Sequence, residues 1–216
     1  MADDDNAKTC KVVLLGESGV GKTCIIARFI NNTFEDNIMS TTGASYAGKT
    51  MTFDEYQGKS IKFEIWDTAG QEKYRALTKI FYKDAGVAIL VYDITRKESF
   101  EELKNYWAEQ IKDSSPKEII LAVAANKSDL IEKEAVDEGE ARDFAKEYGA
   151  IFCSTTATNT AGVTNLFEEV AKKYSGANSI TIKNDDEEPV VEQTKKKDTV
   201  KLTDAKKKEG KKGCCK

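Results

Sequence analysis

The chain has 216 residues, a formal net charge of −4 and no histidine. Without histidine, catalysis by a histidine-activated serine or cysteine and histidine ligation of zinc or haem are excluded. The 33 basic side chains are outnumbered by 37 acidic ones, so no nucleic acid partner is expected.

Nothing in the sequence predicts secretion or a membrane span. Residues 1–7 are a short acidic arm without the apolar core of a signal peptide. The isolated Cys10, Cys24 and Cys153 do not suit a disulfide framework and are interpreted as reduced thiols. The longest apolar runs are far shorter than the ~20 residues that cross a bilayer.

A glycine-rich motif follows the first predicted strand. Residues 16–23, GESGVGKT, fit G-x-x-x-x-G-K-[ST] between a strand predicted at residues 11–15 and a helix predicted at residues 22–31. Backbone N–H groups in such a loop point at an anion, its lysine adds a full charge, and the Thr23 hydroxyl can ligate Mg²⁺. The motif predicts binding of a nucleoside triphosphate without indicating the base. The predicted binding residues here are Ser18, Gly19, Val20, Gly21, Lys22, Thr23 and Cys24.

A second motif, DTAGQ, begins at Asp67 directly after a strand predicted at residues 61–66, which pairs with one at residues 51–53. Asp67 is placed to hold Mg²⁺ through water, as the second acidic motif of P-loop proteins does. Gly70 offers a backbone N–H to a γ-phosphate. Gln71 can orient a water molecule for attack on that phosphate, so it is the predicted catalytic residue.

Three further strands are predicted at residues 86–92, 119–125 and 150–153, because these runs are apolar without alternation. Each is followed by an apolar stripe at helical spacing. The stripes span residues 100–111, 141–148 and 163–174. Strands separated by helices predict an α/β fold with a mostly parallel sheet covered on both sides.

A third motif, NKSD at residues 126–129, follows the strand predicted at residues 119–125. Ligands of open α/β sheets bind beyond that end of the strands. The Asp129 carboxylate can accept from both N1–H and the exocyclic amine of guanine, whereas adenine presents an unpaired acceptor at N1. Asn126 is predicted to bond the imidazole edge of the base, with the stem of Lys127 along its face.

The three motifs, in this order, resemble those of the Ras superfamily of small GTPases over about residues 8–176. The resemblance implies the P-loop NTPase fold of small G proteins. That fold has a six-stranded, mostly parallel sheet with one antiparallel edge strand and helices on both faces. The resemblance also implies GTP/GDP and Mg²⁺ as ligands, Thr41 as the Mg²⁺ ligand of the first switch, and a second switch at residues 67–78.

By the same resemblance, residues 155–158, TTAT, correspond to the last guanine-binding loop, with Thr156, Ala157 and Thr158 at the base. The Ala157 N–H would contact the guanine carbonyl. The family usually has lysine where this chain has Thr158. We therefore expect faster nucleotide exchange, with guanine selectivity retained.

Within the superfamily, the chain is most similar to the Rab branch, and to early-endosomal Rabs in particular. Residues 90–95, LVYDIT, match a Rab segment. Tyr46, Trp66 and Phe81 fall where Rab proteins place the aromatic triad that effectors read, although Trp66 and Phe81 also fit ordinary half-buried aromatics. Asp84 stands where glycine is usual and, with Tyr46, indicates a divergent effector set.

Residues 177–216 form a lysine-rich segment without aromatic residues, and we predict that this tail is disordered. The tail ends in Cys214, Cys215 and Lys216, which does not fit a C-a-a-X site. The cysteine pair resembles the Rab double-cysteine ending, which implies geranylgeranylation of both thiols and stable anchoring by two lipid chains. The alternative is a redox or metal site, for which no further ligands lie nearby in the sequence.

The predicted function is a membrane-tethered GTP/GDP switch that hydrolyses GTP and recruits effectors in vesicle trafficking. No arginine occupies an obvious finger position, because Arg28 lies on the first helix and Arg75 in the second switch. Turnover should therefore be slow without an activating protein. The implied partners are an exchange factor, a GTPase-activating protein, Rab escort and GDP-dissociation inhibitor proteins, and effectors. The implied location is the cytoplasmic face of endomembranes, endosomes among them, with cycling through the cytosol.

Three rival functions are weighed against this one. A P-loop ATP-dependent kinase would have a lid with several arginines and no NKSD tetrad. A scaffold that holds guanine nucleotide permanently would not need Gln71, Thr23 and Thr41 together. A soluble Ras relative would leave the terminal cysteines unmodified.

Overall fold

The computed structural model describes residues 7–35, 41, 44–53, 59–68, 84–114 and 119–176. Its strands are β1 (Lys8–Leu15), β2 (Ala44–Phe53), β3 (Lys59–Thr68), β4 (Val87–Asp93), β5 (Ile120–Asn126) and β6 (Ile151–Ser154). Its α-helices are α1 (Lys22–Asn31), α2 (Lys97–Glu102), α3 (Glu109–Ser114), α4 (Glu138–Glu147) and α5 (Ala161–Ser175). A π-helical segment, Leu103–Ala108, joins α2 to α3, and a 3₁₀ helix spans Ser128–Lys133.

The strands form one six-stranded sheet in the order β2-β3-β1-β4-β5-β6. The sheet is parallel apart from its edge strand β2, which runs antiparallel to β3. This architecture confirms the predicted fold class. Parallel strands end at the same edge of a sheet, and the register therefore places Asp67 beside Leu14, and Asn126 beside Asp93.

Helices cover both faces of the sheet and produce two apolar cores. On one face α1 packs against α5, where the rings of Phe29 and Phe167 stack with their centroids 3.7 Å apart. On the other face Phe100, Trp107 and Phe144 lie in one buried cluster. β4 is buried along its whole length, as its unalternated apolar run predicted.

The start of α1 is set by the glycine-rich loop. Gly21 adopts φ 94° in the left-handed region, and no side chain caps this end of the helix. By contrast, Asp137 caps α4 by accepting the Glu140 backbone N–H at 2.8 Å. An uncapped helix N-terminus leaves N–H groups for an anion, which is the arrangement that the loop motif predicts.

The first apolar stripe folds as a helix whose pitch changes midway. α2 continues into the π-helical segment and then into α3. Phe100, Leu103, Trp107 and Ile111 nevertheless all remain buried, and Trp107 Nε1 donates to Glu102 Oε1 at 3.1 Å. Apolar spacing does not reveal such a segment, because spacings of three and four residues fit both helical pitches.

β2 is longer than predicted and begins at Ala44, whereas the sequence indicated a strand only at residues 51–53. Its ladder with β3 runs from the pair Ala44–Thr68 to the pair Phe53–Lys59. An edge strand needs only one paired side, and side chains 45–50 of β2 are exposed or half-buried. This stretch therefore lacks the apolar pattern that identifies an interior strand.

Several predicted features lie outside the described residues and stay predictions. They are most of the acidic arm, the tail, Gly70, Gln71, Phe81, Cys214 and Cys215. Among the helices that are described, none combines the length and apolarity needed to cross a membrane.

Candidate nucleotide-binding site

The predicted binding residues converge on one cavity at the carboxyl edge of the sheet. The cavity has a volume of about 390 Å³ and is bordered by the loops after β1, β5 and β6. Val20 does not line it, because its side chain is buried in the core. Asp67, the predicted Mg²⁺ residue, is buried and does not line it either. The predicted nucleotide-binding residues that do line it are Ser18, Gly19, Gly21, Lys22, Thr23, Cys24, Thr41, Asn126, Lys127, Asp129, Thr156, Ala157 and Thr158.

The loop after β1 needs glycine at two positions where other parts of the fold approach closely. A Cβ atom on Gly16, at φ 147°, would lie 2.1 Å from the Val91 carbonyl oxygen. A Cβ atom on Gly21 would lie 2.4 Å from Asn126 Nδ2. The loop therefore packs its backbone directly against β4 and the NKSD motif, at positions where only glycine fits.

Lys22 is a buried cation inside this loop, with 5% of its surface exposed. Its Nζ donates to the carbonyl oxygens of Gly16 at 2.7 Å and Glu17 at 2.9 Å. Burial lowers the pKa of Lys22 from 10.5 to about 8, against the opposing effect of Asp67. The ammonium thus spans the loop, and a phosphate beside it would favour its charged form.

Three oxygen-bearing side chains meet where the sequence predicted Mg²⁺. Thr23 Oγ1 donates to Asp67 Oδ2 at 2.7 Å, and the hydroxyls of Thr23 and Thr41 lie 2.8 Å apart. Thr41 Oγ1 also donates to Asp67 Oδ2, at 3.3 Å. Oxygen ligands with few carboxylates suit Mg²⁺, which keeps several waters. Within the described residues, no group of three or more His, Cys, Asp or Glu side chains offers an alternative metal site.

Asp67 carries the clearest sign that this cluster is incomplete without a ligand. The residue is 2% exposed, and none of the described residues donates a hydrogen bond to its Oδ1 atom. Burial raises the pKa of Asp67, while hydrogen bonds from Thr23 and Thr41 and the charge of Lys22 oppose the rise. An orphaned buried carboxylate oxygen is costly, and a hydrated cation would satisfy it.

Asn126 joins the phosphate side of the cavity to its base side. Its Nδ2 donates to the Val20 carbonyl at 2.7 Å, and its Oδ1 accepts from Thr155 Oγ1 at 3.1 Å. The side chain is buried, with 2% of its surface exposed. The residue predicted to bond the base thus also fixes the loop after β1 against the loop after β6.

The loop after β6 is organised by hydroxyl groups around Asp129. The Thr156 hydroxyl donates to Asp129 Oδ1. The hydroxyls of Thr156 and Thr158 lie 2.8 Å apart, and the Thr158 N–H donates to Thr156 Oγ1 at 3.1 Å. The carboxylate predicted to select guanine is therefore held in position by the same loop that carries the Ala157 N–H.

Arg28, on α1, contacts the base side of the site, which the sequence did not predict. Its Nε donates to the Ala157 carbonyl at 2.7 Å, and its Nη2 donates to the Thr158 carbonyl at 3.3 Å. Its Nη1 donates to the backbone and side-chain oxygens of Asn32 at 2.8 and 2.9 Å. Ala157 and Thr158 lie 129 and 130 residues from Arg28 in the sequence, so no local pattern could have identified these contacts.

Two apolar side chains that line the cavity were also missed. Phe34, which follows α1, is 37% exposed and borders the cavity, as does Leu130 beside Asp129. The available sequence signal was a phenylalanine between polar residues after the first helix, because large apolar groups outside the core often mark contact surfaces. Together, the side chains of Phe34 and Leu130 offer apolar surface to a flat base.

The predicted effector aromatics are partly described. Tyr46 and Trp66 are direct partners across β2 and β3, and their rings form an edge-to-face pair with centroids 5.6 Å apart. Phe81 lies outside the described residues. Asp84 adopts φ 60°, the left-handed conformation that glycine takes most easily, which explains why glycine suits this position.

Comparisons with known proteins place the chain among relatives of one kind. A family model described as the Ras family matches residues 11–176 and so spans all three motifs. The chain is 45% identical over 163 residues to Ras-related protein Rab-22A of Homo sapiens, covering 76% of this chain and 82% of that protein. It is 42% identical to GTP-binding protein ypt5 of Schizosaccharomyces pombe, with 76% of each chain covered. It is 40% identical to Ras-related protein Rab-31 of Mus musculus, with 76% and 82% covered.

We expect the binding of nucleotide phosphates to take up protons through Lys22. At pH 8.5 a large share of this amine is neutral, because its pKa is about 8 in the free protein, and a neighbouring phosphate raises that pKa. Calorimetry of GDP binding to nucleotide-free protein at pH 8.5, in buffers of different ionisation enthalpy, measures the uptake.

Lys22→Arg is the matched control, since an arginine keeps its charge at this pH and should show no uptake. Uptake that persists in Lys22→Arg would assign the proton to another group.

The lowered pKa of Lys22 has a second consequence, for the stability of the free protein. Between about pH 8 and 10.5 the folded state binds fewer protons at Lys22 than the unfolded state, so this residue's contribution to stability rises with pH.

Proposed function

Since the chain belongs to the Ras family of small GTPases and to its Rab branch, we propose that it is a membrane-tethered GTP/GDP switch that recruits effectors in vesicle trafficking. Its membership confirms the resemblance predicted from the three motifs, and with it the GTPase activity and the binding of guanine nucleotide. The observation that carries the proposal is the cavity itself. One space is lined by a phosphate loop, by hydroxyls of the Mg²⁺ cluster and by a carboxylate suited to guanine.

The phosphates of GTP or GDP are proposed to lie over the loop after β1. The uncapped N-terminus of α1 and the left-handed Gly19 and Gly21 direct backbone N–H groups towards an anion there. Lys22 adds a full charge from a buried position, where charge interactions are less screened than at the surface. Its present partners are neutral carbonyls, so it can exchange one of them for a phosphate oxygen.

Thr23, Thr41 and Asp67 are proposed to hold Mg²⁺, which would neutralise part of the phosphate charge when bound. Thr23 is fixed on α1, and Asp67 ends β3. Thr41 belongs to the predicted first switch, and its hydroxyl contacts both Thr23 and Asp67. In a switch, a segment that is ordered by contacts to the metal and the γ-phosphate is released when the phosphate is lost, and Thr41 is placed for such a contact.

The guanine is proposed to lie between Asp129, the Ala157 N–H and the apolar surfaces of Phe34 and Leu130. The Thr156 hydroxyl orients the carboxylate, so the group that reads N1–H and the exocyclic amine is fixed before the base arrives. Thr158 is short and bonded to its own loop, and it offers no long aliphatic stem to cover the base. This geometry supports the expectation of faster exchange with unchanged base preference.

Hydrolysis is proposed to be slow on its own, with Gln71 orienting the water. The described part of the chain contains three arginines. Arg28 and Arg96 are bonded to backbone carbonyls beside the site, and Arg142 pairs with Glu138 on α4. None of these three is placed as a finger, and Arg75 lies outside the described residues. We propose that the finger comes from an activating protein, which can contribute ~10³–10⁵ in rate.

The tail is proposed to carry two geranylgeranyl groups, on Cys214 and Cys215, and to place the domain on the cytoplasmic face of endomembranes, including endosomes. The similarity to Rab-22A and Rab-31 supports this placement. The partners implied are an exchange factor, an activating protein, Rab escort and GDP-dissociation inhibitor proteins, and effectors that contact Tyr46, Trp66 and Phe81.

Asp129→Asn tests the guanine site. An amide at this position would both donate and accept, so it would mismatch guanine and match xanthine, which has a carbonyl in place of the exocyclic amine. We expect GDP affinity to fall about 10- to 100-fold and xanthosine diphosphate to become the better ligand, in competition against a fluorescent GDP analogue. Glu132→Gln, an exposed acid in the same 3₁₀ helix, is the control. Unaltered GDP preference in Asp129→Asn would reject the assigned base site.

Gln71→Leu tests the catalytic assignment. We expect this variant to retain GDP affinity while losing most of the ~10³- to 10⁵-fold stimulation that an activating protein can provide. Single-turnover phosphate release, with and without cell extract, measures the effect. An unchanged stimulated rate would remove Gln71 from the mechanism. If the parent protein releases no phosphate even with extract, the scaffold alternative is favoured.

The double variant Cys214→Ser, Cys215→Ser tests the membrane anchor. Two lipid chains give stable binding and one gives marginal, reversible binding. We therefore expect the double variant to move entirely to the soluble fraction of its native cell and each single variant to divide between fractions. Mass spectrometry of the C-terminal peptide checks the thiols directly. Free thiols in the parent protein would support the soluble alternative.

A further inference from the structure

A chain of four charged side chains runs across the back of the nucleotide cavity, from the phosphate loop to the base motif. Arg96, the residue directly before α2, donates from Nη2 to Glu17 Oε2 at 3.1 Å and to the Ser18 carbonyl at 3.0 Å. Its Nε lies 3.6 Å from Asp93 Oδ2. The same Asp93 oxygen is 2.6 Å from Lys127 Nζ.

Asp93 is the centre of this chain, and its position is tightly fixed. It ends β4 with only 1% of its side chain exposed. Its second oxygen accepts from the Thr95 N–H at 2.9 Å and the Thr95 hydroxyl at 2.7 Å. Burial alone would raise the pKa of Asp93, but the hydrogen bonds from Lys127 and Thr95 outweigh it and lower that pKa. The carboxylate is therefore charged at neutral pH and shared by two cations.

We propose that Arg96 is a positioning residue for nucleotide retention, which clamps the phosphate loop at Glu17 and Ser18 onto the buried Asp93 that also holds Lys127. The inference rests on the proposed nucleotide site. It assigns to Arg96 no contact with the nucleotide, only control of the loop that makes such contacts. Since Ser18 and Gly19 line the cavity, a movement of this part of the loop changes the phosphate site directly.

The geometry distinguishes Arg96 from an ordinary surface ion pair. Its side chain is 38% exposed and that of Glu17 is 30% exposed, so their charge attraction alone contributes little. The guanidinium, however, also bonds a loop carbonyl, and it faces a carboxylate that is almost fully buried. Nη2 makes both loop bonds, while Nε is in ion-pair range of Asp93 without a hydrogen bond to any described residue. A planar guanidinium can face both sides in this way, whereas an ammonium is a single point charge.

The experiment compares dissociation rates of GDP and inosine diphosphate from Arg96→Ala, Arg96→Lys and the parent protein. Arg96→Ala should release GDP about 3- to 30-fold faster, and Arg96→Lys should recover part of this loss. Because the Asp93–Lys127 contact and Asp129 stay in place, both nucleotides should be accelerated by the same factor. A merely structural defect would disturb the base site too, and would reduce the advantage of GDP over inosine diphosphate.

A control variant and a double-mutant cycle make the test specific. Lys97→Ala removes an exposed neighbouring charge and should leave both rates unchanged.

Glu17→Gln and Arg96→Gln should show non-additive effects when combined, because they remove the same contact. If Arg96→Ala does not fold, Glu17→Gln and Arg96→Lys still measure the clamp. Additive effects of the Glu17 and Arg96 changes would overturn it.

Lys22→Ala and Asp129→Ala in the same assay distinguish a failure of the Arg96 clamp from a failure of the proposed nucleotide site. If both release GDP rapidly while Arg96→Ala stays within twofold of the parent, the clamp is wrong and the nucleotide site stands. If neither releases GDP, the proposed site itself is wrong, and the clamp falls with it.

Discussion

The parallel pairing of β1 with β3 and β4 is the constraint on which the rest of the site depends. β1 lies inside the sheet, so the loop that leaves its carboxyl end emerges between the ends of its two neighbours. β3 ends one residue after Asp67, and β4 ends at Asp93. The register therefore delivers a cation-binding carboxylate and a buried anchor to opposite sides of the phosphate loop. Pairing shifted by one residue would turn both carboxylates to the wrong face of the sheet.

Once the strands are aligned, the loops are fixed by side chains that need no ligand. Asn126 ties the phosphate loop to the loop after β6, Arg28 ties α1 to that loop, and Arg96 ties the phosphate loop to β4. All three bond backbone carbonyls, and they do so from different elements. A loop whose backbone is held at several points loses less conformational entropy when a ligand binds. The site is thus organised in advance, while Thr41 is attached through its hydroxyl and can respond to the ligand.

The sequence predicted the parts of this arrangement that depend on local chemistry. Unalternated apolar runs identified β4, β5 and β6, and the motifs of Lys22, Asp67 and Asp129 were each predicted directly after a strand, which in a parallel sheet brings them to one edge. The long-range bonds were beyond it. Arg28 is 129 residues from Ala157, and Arg96 is 79 residues from Glu17. No local pattern in one segment predicts contact with the other. β2 and the π-helical segment were missed for a different reason: neither an edge strand nor a change of helical pitch alters the apolar pattern enough to be recognised.

Two buried groups of opposite charge, Lys22 and Asp67, lie on the phosphate side of the site. Lys22 is buried with two carbonyls as partners, and Asp67 is buried with one oxygen that accepts no hydrogen bond from the described part of the chain. Burial disfavours the charged form of each, and their mutual attraction offsets only part of that cost. An anion beside Lys22 and a cation beside Asp67 would relieve both penalties at once. Each alone would relieve one and leave the other. A phosphate that arrives with its divalent cation therefore suits this site better than either partner separately, so binding of the two should be mutually reinforcing.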